Sequence, residues 1–171
     1  MPMEHAHGTH EKPDKHARLV ERLRLQRDDV RRMTSGLDEQ AMTTRAVAGK
    51  WSLKELVVHL TCVQQLFGRR IEAMLEHDNP VIAPYDPDGD PEFAALMKKP
   101  ASEILTNFFN SRDWLAQRLE GLLPAQWHRP GRHPEYTHYD VHFQVEYMIH
   151  HEGHHLYQLY QRRAPLGKMP H

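Results

Sequence analysis

A single cysteine, Cys62, excludes an intrachain disulfide and fits a reducing compartment. No apolar run reaches the roughly 20 residues of a bilayer-spanning helix, so a helical membrane protein is excluded. Neither sign of charge prevails. Lys and Arg number 22 against 23 Asp and Glu, a formal net charge of −1 with histidine neutral. The basic footprint of a nucleic-acid binder is therefore missing. The opening MPMEHAHGTHEKPDKH lacks the apolar stretch of a secretory signal, which makes the cytoplasm the expected location. Sustained period-two alternation is missing too, so no sheet is expected.

What the chain has in excess is histidine, 15 in 171 residues. That length suggests one domain with a core of its own. Residues 1–14 read as a flexible tail in which His5, His7 and His10 offer at most loose chelation. Four long helices follow. The first, about 15–34, carries Leu19, Leu23, Val30 and Met33 at helical spacing before Gly36. The second opens on WSLKE, where Ser52 and Glu55 form a capping box and Trp51 is placed to staple onto Leu56. Its stripe of Leu56, Leu60, Val63, Phe67, Ile71 and Met74 runs to about residue 77. The third spans about 101–123, with a helical lead-in near 92–97, and the fourth about 139–163, before Pro165 and Gly167. Together they predict an all-α four-helix bundle. The proline-rich loop 78–91 is long enough to suggest a cover over a site or an oligomer contact.

The stretch HHEGHH, 150–155, contains His151-Glu152-x-x-His155, the helix signature of zinc proteases. That reading fails on its third ligand. The extension positions are Gln158 and Gln161, no acidic residue follows Glu152, and only the terminal His171 remains. His151 and His155 nevertheless stand one turn apart on the core-facing side. Such a pair either chelates a metal or is satisfied by hydrogen bonds. His150 and His154 turn away. A third ligand must come from upstream, and His59, on the border of the second helix's apolar stripe, is the best placed.

Two blocks then carry a family resemblance. GKWSLKELVVHL, 49–60, and HHEGHHLYQL, 150–159, occur in the order found in the DinB/YfiT-like superfamily of metal-dependent bundle proteins. The first helix and its connector resemble that family as well, so that roughly residues 15–163 are covered, within a domain taken as 15–171. The resemblance implies an up-down-down-up bundle, often dimeric. It also implies a metal triad of His59, His151 and His155 holding one divalent ion, with zinc or nickel favoured over iron or manganese. Three neutral ligands leave a coordination position open, as in catalytic sites. The ion's charge, not neutralised by its ligands, favours an ionised water or a thiolate.

The expected function is a metal-dependent enzyme acting on a small molecule, either a hydrolase or a thiol-dependent transferase. The alternatives are a non-catalytic metal-binding or ligand-sensing dimer, and a helical dimer with no physiological metal. A homodimer is expected from the resemblance and from apolar residues spread over more than one stripe of the third helix. Several neighbours have two readings. Glu55 either orients His59 or only caps its helix, and Cys62 is a ligand, a nucleophile or an inert buried thiol. Glu152 is a general base, an exposed residue or a contact to another helix. Gln158 offers a hydrogen bond to a ligand. Trp127 and the RPGRHPEY segment, 129–136, either rim the pocket, with Arg129, Arg132 and His133 available to an anionic substrate, or are solvated loop residues.

Overall fold

The computed structural model describes residues 14–86 and 89–170; the histidines of the expected tail lie outside them. The described residues form six α-helices: α1 (Lys15–Thr34), α2 (Glu39–Thr43), α3 (Leu53–Glu76), α4 (Pro91–Met97), α5 (Ala101–Glu120) and α6 (Val141–Arg163). The four long ones and the lead-in α4 lie where the apolar periodicity places them. Helix α2 and a 3-10 turn at Pro124–His128 fall in segments read as connectors. Each is five residues long and buries one side chain, Met42 or Trp127, too little to print a period on the sequence.

Local chemistry sets the ends. The Ser52 hydroxyl accepts from the Glu55 amide at 3.2 Å, and the Glu55 carboxylate accepts from the Ser52 amide at 2.7 Å. Glu55 also takes two hydrogen bonds from Arg45. Helix α6 begins after Asp140, whose side chain accepts from the Phe143 amide at 2.8 Å. Helix α5 stops at Gly121.

Helix α1 packs on α6 and α5, and α3 packs on the same two. Cross-helix contacts give the directions. His16 meets His142 and Gln26 meets Ile149, so α1 and α6 run parallel. Gln64 meets Ser111 and Glu72 meets Arg118, so α3 and α5 run parallel. Arg31 meets Phe109 and Arg27 meets Asp113, so α1 and α5 are antiparallel. His59 meets His155 and Arg70 meets Tyr139, so α3 and α6 are antiparallel. The order is up-down-down-up.

This topology accounts for the long loop. Parallel neighbours need a connection that returns the length of α3, whose 24 residues at ~1.5 Å each span roughly 36 Å. The return segment carries Ile82, Tyr85 and α4 past the side of the bundle. The 124–140 connector is stitched to it: Ile82 N donates to Arg132 O, and Arg132 N to Pro80 O, both at 2.8 Å. Gly131 sits under this seam. A Cβ there would lie 2.9 Å from Ile82 Cγ1 and 3.0 Å from Met74 Sδ, so the crossing has room for glycine alone.

Two apolar clusters fill the bundle, one around Leu23, Ile71 and Val145, the other around Val30, Leu56 and Phe108. Between them lies a polar layer drawn from all four long helices. Arg112 is fully buried. Its guanidinium donates to Leu23 O of α1 at 2.8 Å, Gln64 Oε1 of α3 at 2.6 Å and both carboxylate oxygens of Glu152 on α6.

Candidate metal centre

The opening turns of α3 and the later turns of α6 bring together His59, His151 and His155. His59 Nε2 lies 3.1 Å from His155 Nε2, which lies 3.2 Å from His151 Nε2. One nitrogen from each ring falls within 4.8 Å of the others. A tetrahedral ion with bonds of about 2.0–2.1 Å holds its donors roughly 3.3 Å apart, so the spacing suits one divalent ion. Without an ion, these contacts require His59 or His151 to carry its proton on Nε2 and donate to His155; with an ion, all three nitrogens offer lone pairs.

The rings are fixed from several sides. Gln158 Oε1 faces His155 Nδ1 at 2.7 Å, which puts the proton on Nδ1 and leaves the Nε2 lone pair for the cluster. The Gln158 carboxamide nitrogen lies 3.4 Å from His154 Nε2. His154 is exposed, as its wheel position predicts, yet it helps orient that amide. Trp51 turns its ring to His59 and Phe93, with centroids 5.4 and 5.7 Å away, and Arg162 of α6 donates to its carbonyl at 3.1 Å. The capping-box segment is thereby tied to the helix that carries the other two histidines. Tyr147 stacks on His151 with an interplanar angle of 10°.

Burial, then the neighbouring imidazoles, pushes His59 and His151 down to about 4. His155 is lowered, first by burial. All three are neutral at physiological pH, the form that binds metal. His16 and His133 are also lowered, chiefly by burial. Below pH 6.5 the unfolded chain therefore takes up protons that the native state refuses. Metal-free protein is expected to lose stability as pH falls from 6.5 towards 4. Urea midpoints measured in chelator across that window check this; a midpoint that rises on acidification would contradict it.

Glu152 is corrected by the structure. It is 2% exposed and paired with Arg112, so of its readings only contact to a neighbouring helix survives. A carboxylate held on both oxygens by a buried guanidinium is not free to act as a general base. Cys62 is buried, and burial followed by the charge of Asp90 pushes its thiol up to about 12; the inert reading stands. Glu55 spends its carboxylate on Ser52 and Arg45 and does not orient His59. Burial raises its carboxyl, but those hydrogen bonds outweigh it and hold it below the usual range.

The loop residues divide. Trp127 does not rim the site: it is buried and stacks on His16 at 4.3 Å, towards the starts of α1 and α6. Arg129 spends its guanidinium on the Met74 and His77 carbonyls. His133 does line a cavity, of about 220 Å³, that adjoins the cluster at His151. Arg70, Tyr85, Tyr136, Tyr139 and Tyr147 line it too. Tyr136 belongs to the RPGRHPEY segment expected to rim the pocket; the other four were not legible as site residues, because an arginine within FGRRIE or a lone tyrosine has no partner in the sequence alone.

An up-down-down-up bundle with three converging imidazoles and an adjoining cavity defines a class of helical, histidine-centred proteins. The model of the DinB superfamily matches residues 22–159, and the chain belongs to that superfamily. No curated protein matches it. Among solved structures it is similar to YfiT from Bacillus subtilis, described as a probable metal-dependent hydrolase with an unusual four-helix bundle topology. The identity is 17%, over 98% of this chain and 93% of that one, with a TM-score of 0.74. It is also similar to the DinB-like protein YjoA from Bacillus subtilis, at 15% identity, over 90% and 96% of the two chains, with a TM-score of 0.62. No helix among the described residues is long and apolar enough to cross a membrane.

Proposed function

We propose that this chain is a metal-dependent enzyme acting on a small molecule, with His59, His151 and His155 as the ligands of one divalent ion. The observation that carries the proposal is the convergence of three neutral imidazoles beside a cavity, with His59 and His151 Nε2 at 3.1 and 3.2 Å from His155 Nε2. Zinc or nickel suits an all-imidazole set. Such an ion supplies Lewis acidity and lowers the pKa of what it binds. The chain's own residues hold the ligand tautomers, through Gln158, and keep the site half-closed behind Trp51 and Tyr147. Neither Cys62 nor Glu152 is available as nucleophile or base. The attacking group is then a small molecule itself: water in a hydrolase, which agrees with the description of YfiT, or a thiol in a transferase.

The test is reconstitution. Protein stripped with chelator and reloaded with zinc or nickel is screened against small esters, amides and thiol-acceptor pairs. Turnover should appear with the metal, vanish on stripping and return on reloading. A loaded protein inert throughout would favour a ligand-binding bundle.

The active form is proposed to be a homodimer in the cytoplasm. A groove of about 510 Å³ along α3 and α5 is lined by Gly68, Ala73, Leu115 and Trp114, and the Trp114 ring is largely exposed. Light scattering at micromolar concentration is expected to give twice the chain mass; a strictly monomeric mass would refute it.

A further inference from the structure

The cavity beside His151 is smaller than the roughly 300–1,000 Å³ that drug-sized ligands occupy, so its occupant is small. Its walls are Phe67 and four tyrosines. One cation belongs to it. Arg70 lines the cavity and is only 9% exposed. Its hydrogen bonds go to neutral oxygens: Nη2 donates to Ala83 O at 2.6 Å, and Nη1 to the Tyr139 hydroxyl at 3.5 Å. Nε is buried without a partner. Phe67 lies beneath the guanidinium, 5.7 Å from its centre. No ion pair among the described residues includes Arg70. Of the other buried guanidinium groups, Arg112 has Glu152, while Arg162 and Arg163 bond backbone carbonyls and do not line this cavity.

A buried charge is normally kept only where an opposite charge compensates it. Arg112 shows the bundle meeting that requirement from within, whereas Arg70, the buried guanidinium that lines the cavity, has no ion pair among the described residues. Glu135 also lines the cavity, but from its exposed mouth, and it makes no ion pair with Arg70. A planar fork with unspent donors, set in an aromatic slot, matches a carboxylate. A phosphate dianion would bring more charge than one arginine among neutral phenols offsets.

We propose that this cavity binds a small organic acid, its carboxylate on Arg70 and its other end towards His151. The part of the ligand that faces His151 rests on the metal-centre reading; the part at Arg70 does not. The proposal thereby narrows the substrate class to carboxylates short enough to bridge the two.

The test uses the full chain, first stripped of metal. Acetate, lactate, phenylacetate and glutarate are titrated calorimetrically, each beside its neutral amide, with inorganic phosphate and phenyl phosphate as further arms. At least one acid should bind about tenfold or more tightly than its amide, since charge-assisted hydrogen bonds are roughly twice as strong as neutral ones. Arg70→Gln should remove that preference, and Glu135→Gln should leave it intact or increase it. If every acid binds no better than its amide, or a phosphate outcompetes them all, the proposal is wrong. The acid–amide comparison in the unmutated chain decides even if Arg70→Gln does not fold. Because this arm contains no metal, its outcome is independent of whether the three histidines bind one. Repeating it with zinc-loaded protein should tighten lactate, which has a second donor, more than acetate.

Discussion

Glu152→Ala is expected to lower stability by about 3–5 kcal/mol, because it strands a fully buried guanidinium. In a chain of this size each kcal/mol shifts the midpoint by roughly 2–4 °C, so the loss is easily read by thermal denaturation. The metal content of the folded fraction should be unchanged, since both Glu152 carboxylate oxygens are engaged by Arg112. Glu152→Gln should cost less, because the amide oxygen still accepts one of the Arg112 hydrogen bonds. Removing Arg112 in the same chain should recover part of the alanine loss, as only the bonds to Gln64 and Leu23 then remain broken. A zinc-protease glutamate predicts the reverse: stability kept and chemistry lost. If Glu152→Ala melts with the parent, the polar layer does not clamp the four helices.

This glutamate also marks where the sequence stops being informative. The helical wheel places Glu152 off the histidine face, but it gives an angle and no partner. The partner is Arg112, 40 residues away, in a stretch, NSRDWL, that reads as a charged surface. Arg70 is hidden in the same way beside Arg69. By contrast, His151 and His155 are legible because one helix turn fixes their relation whatever the bundle does. His59 is intermediate. Its place on the stripe border is visible, but its approach to α6 follows from topology, and only the family resemblance anticipates that. The fold was legible for a similar reason: each long helix carries apolar residues at helical spacing over five turns or more. The loop 78–91 reads as long in the sequence, and its length follows from joining two parallel neighbours. Trp127 was misplaced because a 3-10 turn of five residues decides which way its ring faces.

The largest effect on function is expected at His59. It is the one proposed ligand on α3, and it sits 3.1 Å from His155 across the interface of two antiparallel helices. Without it, the pair on α6 offers two nitrogens to a divalent ion and no third protein ligand. Affinity should fall by orders of magnitude, and any metal-dependent turnover should fall with it. Removing His151 or His155 should do the same. His150→Ala should do little, and His154→Ala should cost only the amide contact that steadies Gln158.

The decisive measurement is metal stoichiometry by elemental analysis after extensive dialysis. The background carries His5, His7 and His10 as alanine, so that N-terminal histidines cannot contribute. The parent should hold one ion per chain, and His59→Ala, His151→Ala and His155→Ala should each hold close to none while remaining folded. Full occupancy in His59→Ala would show that α3 supplies no essential ligand, and the three-histidine centre would have to be given up.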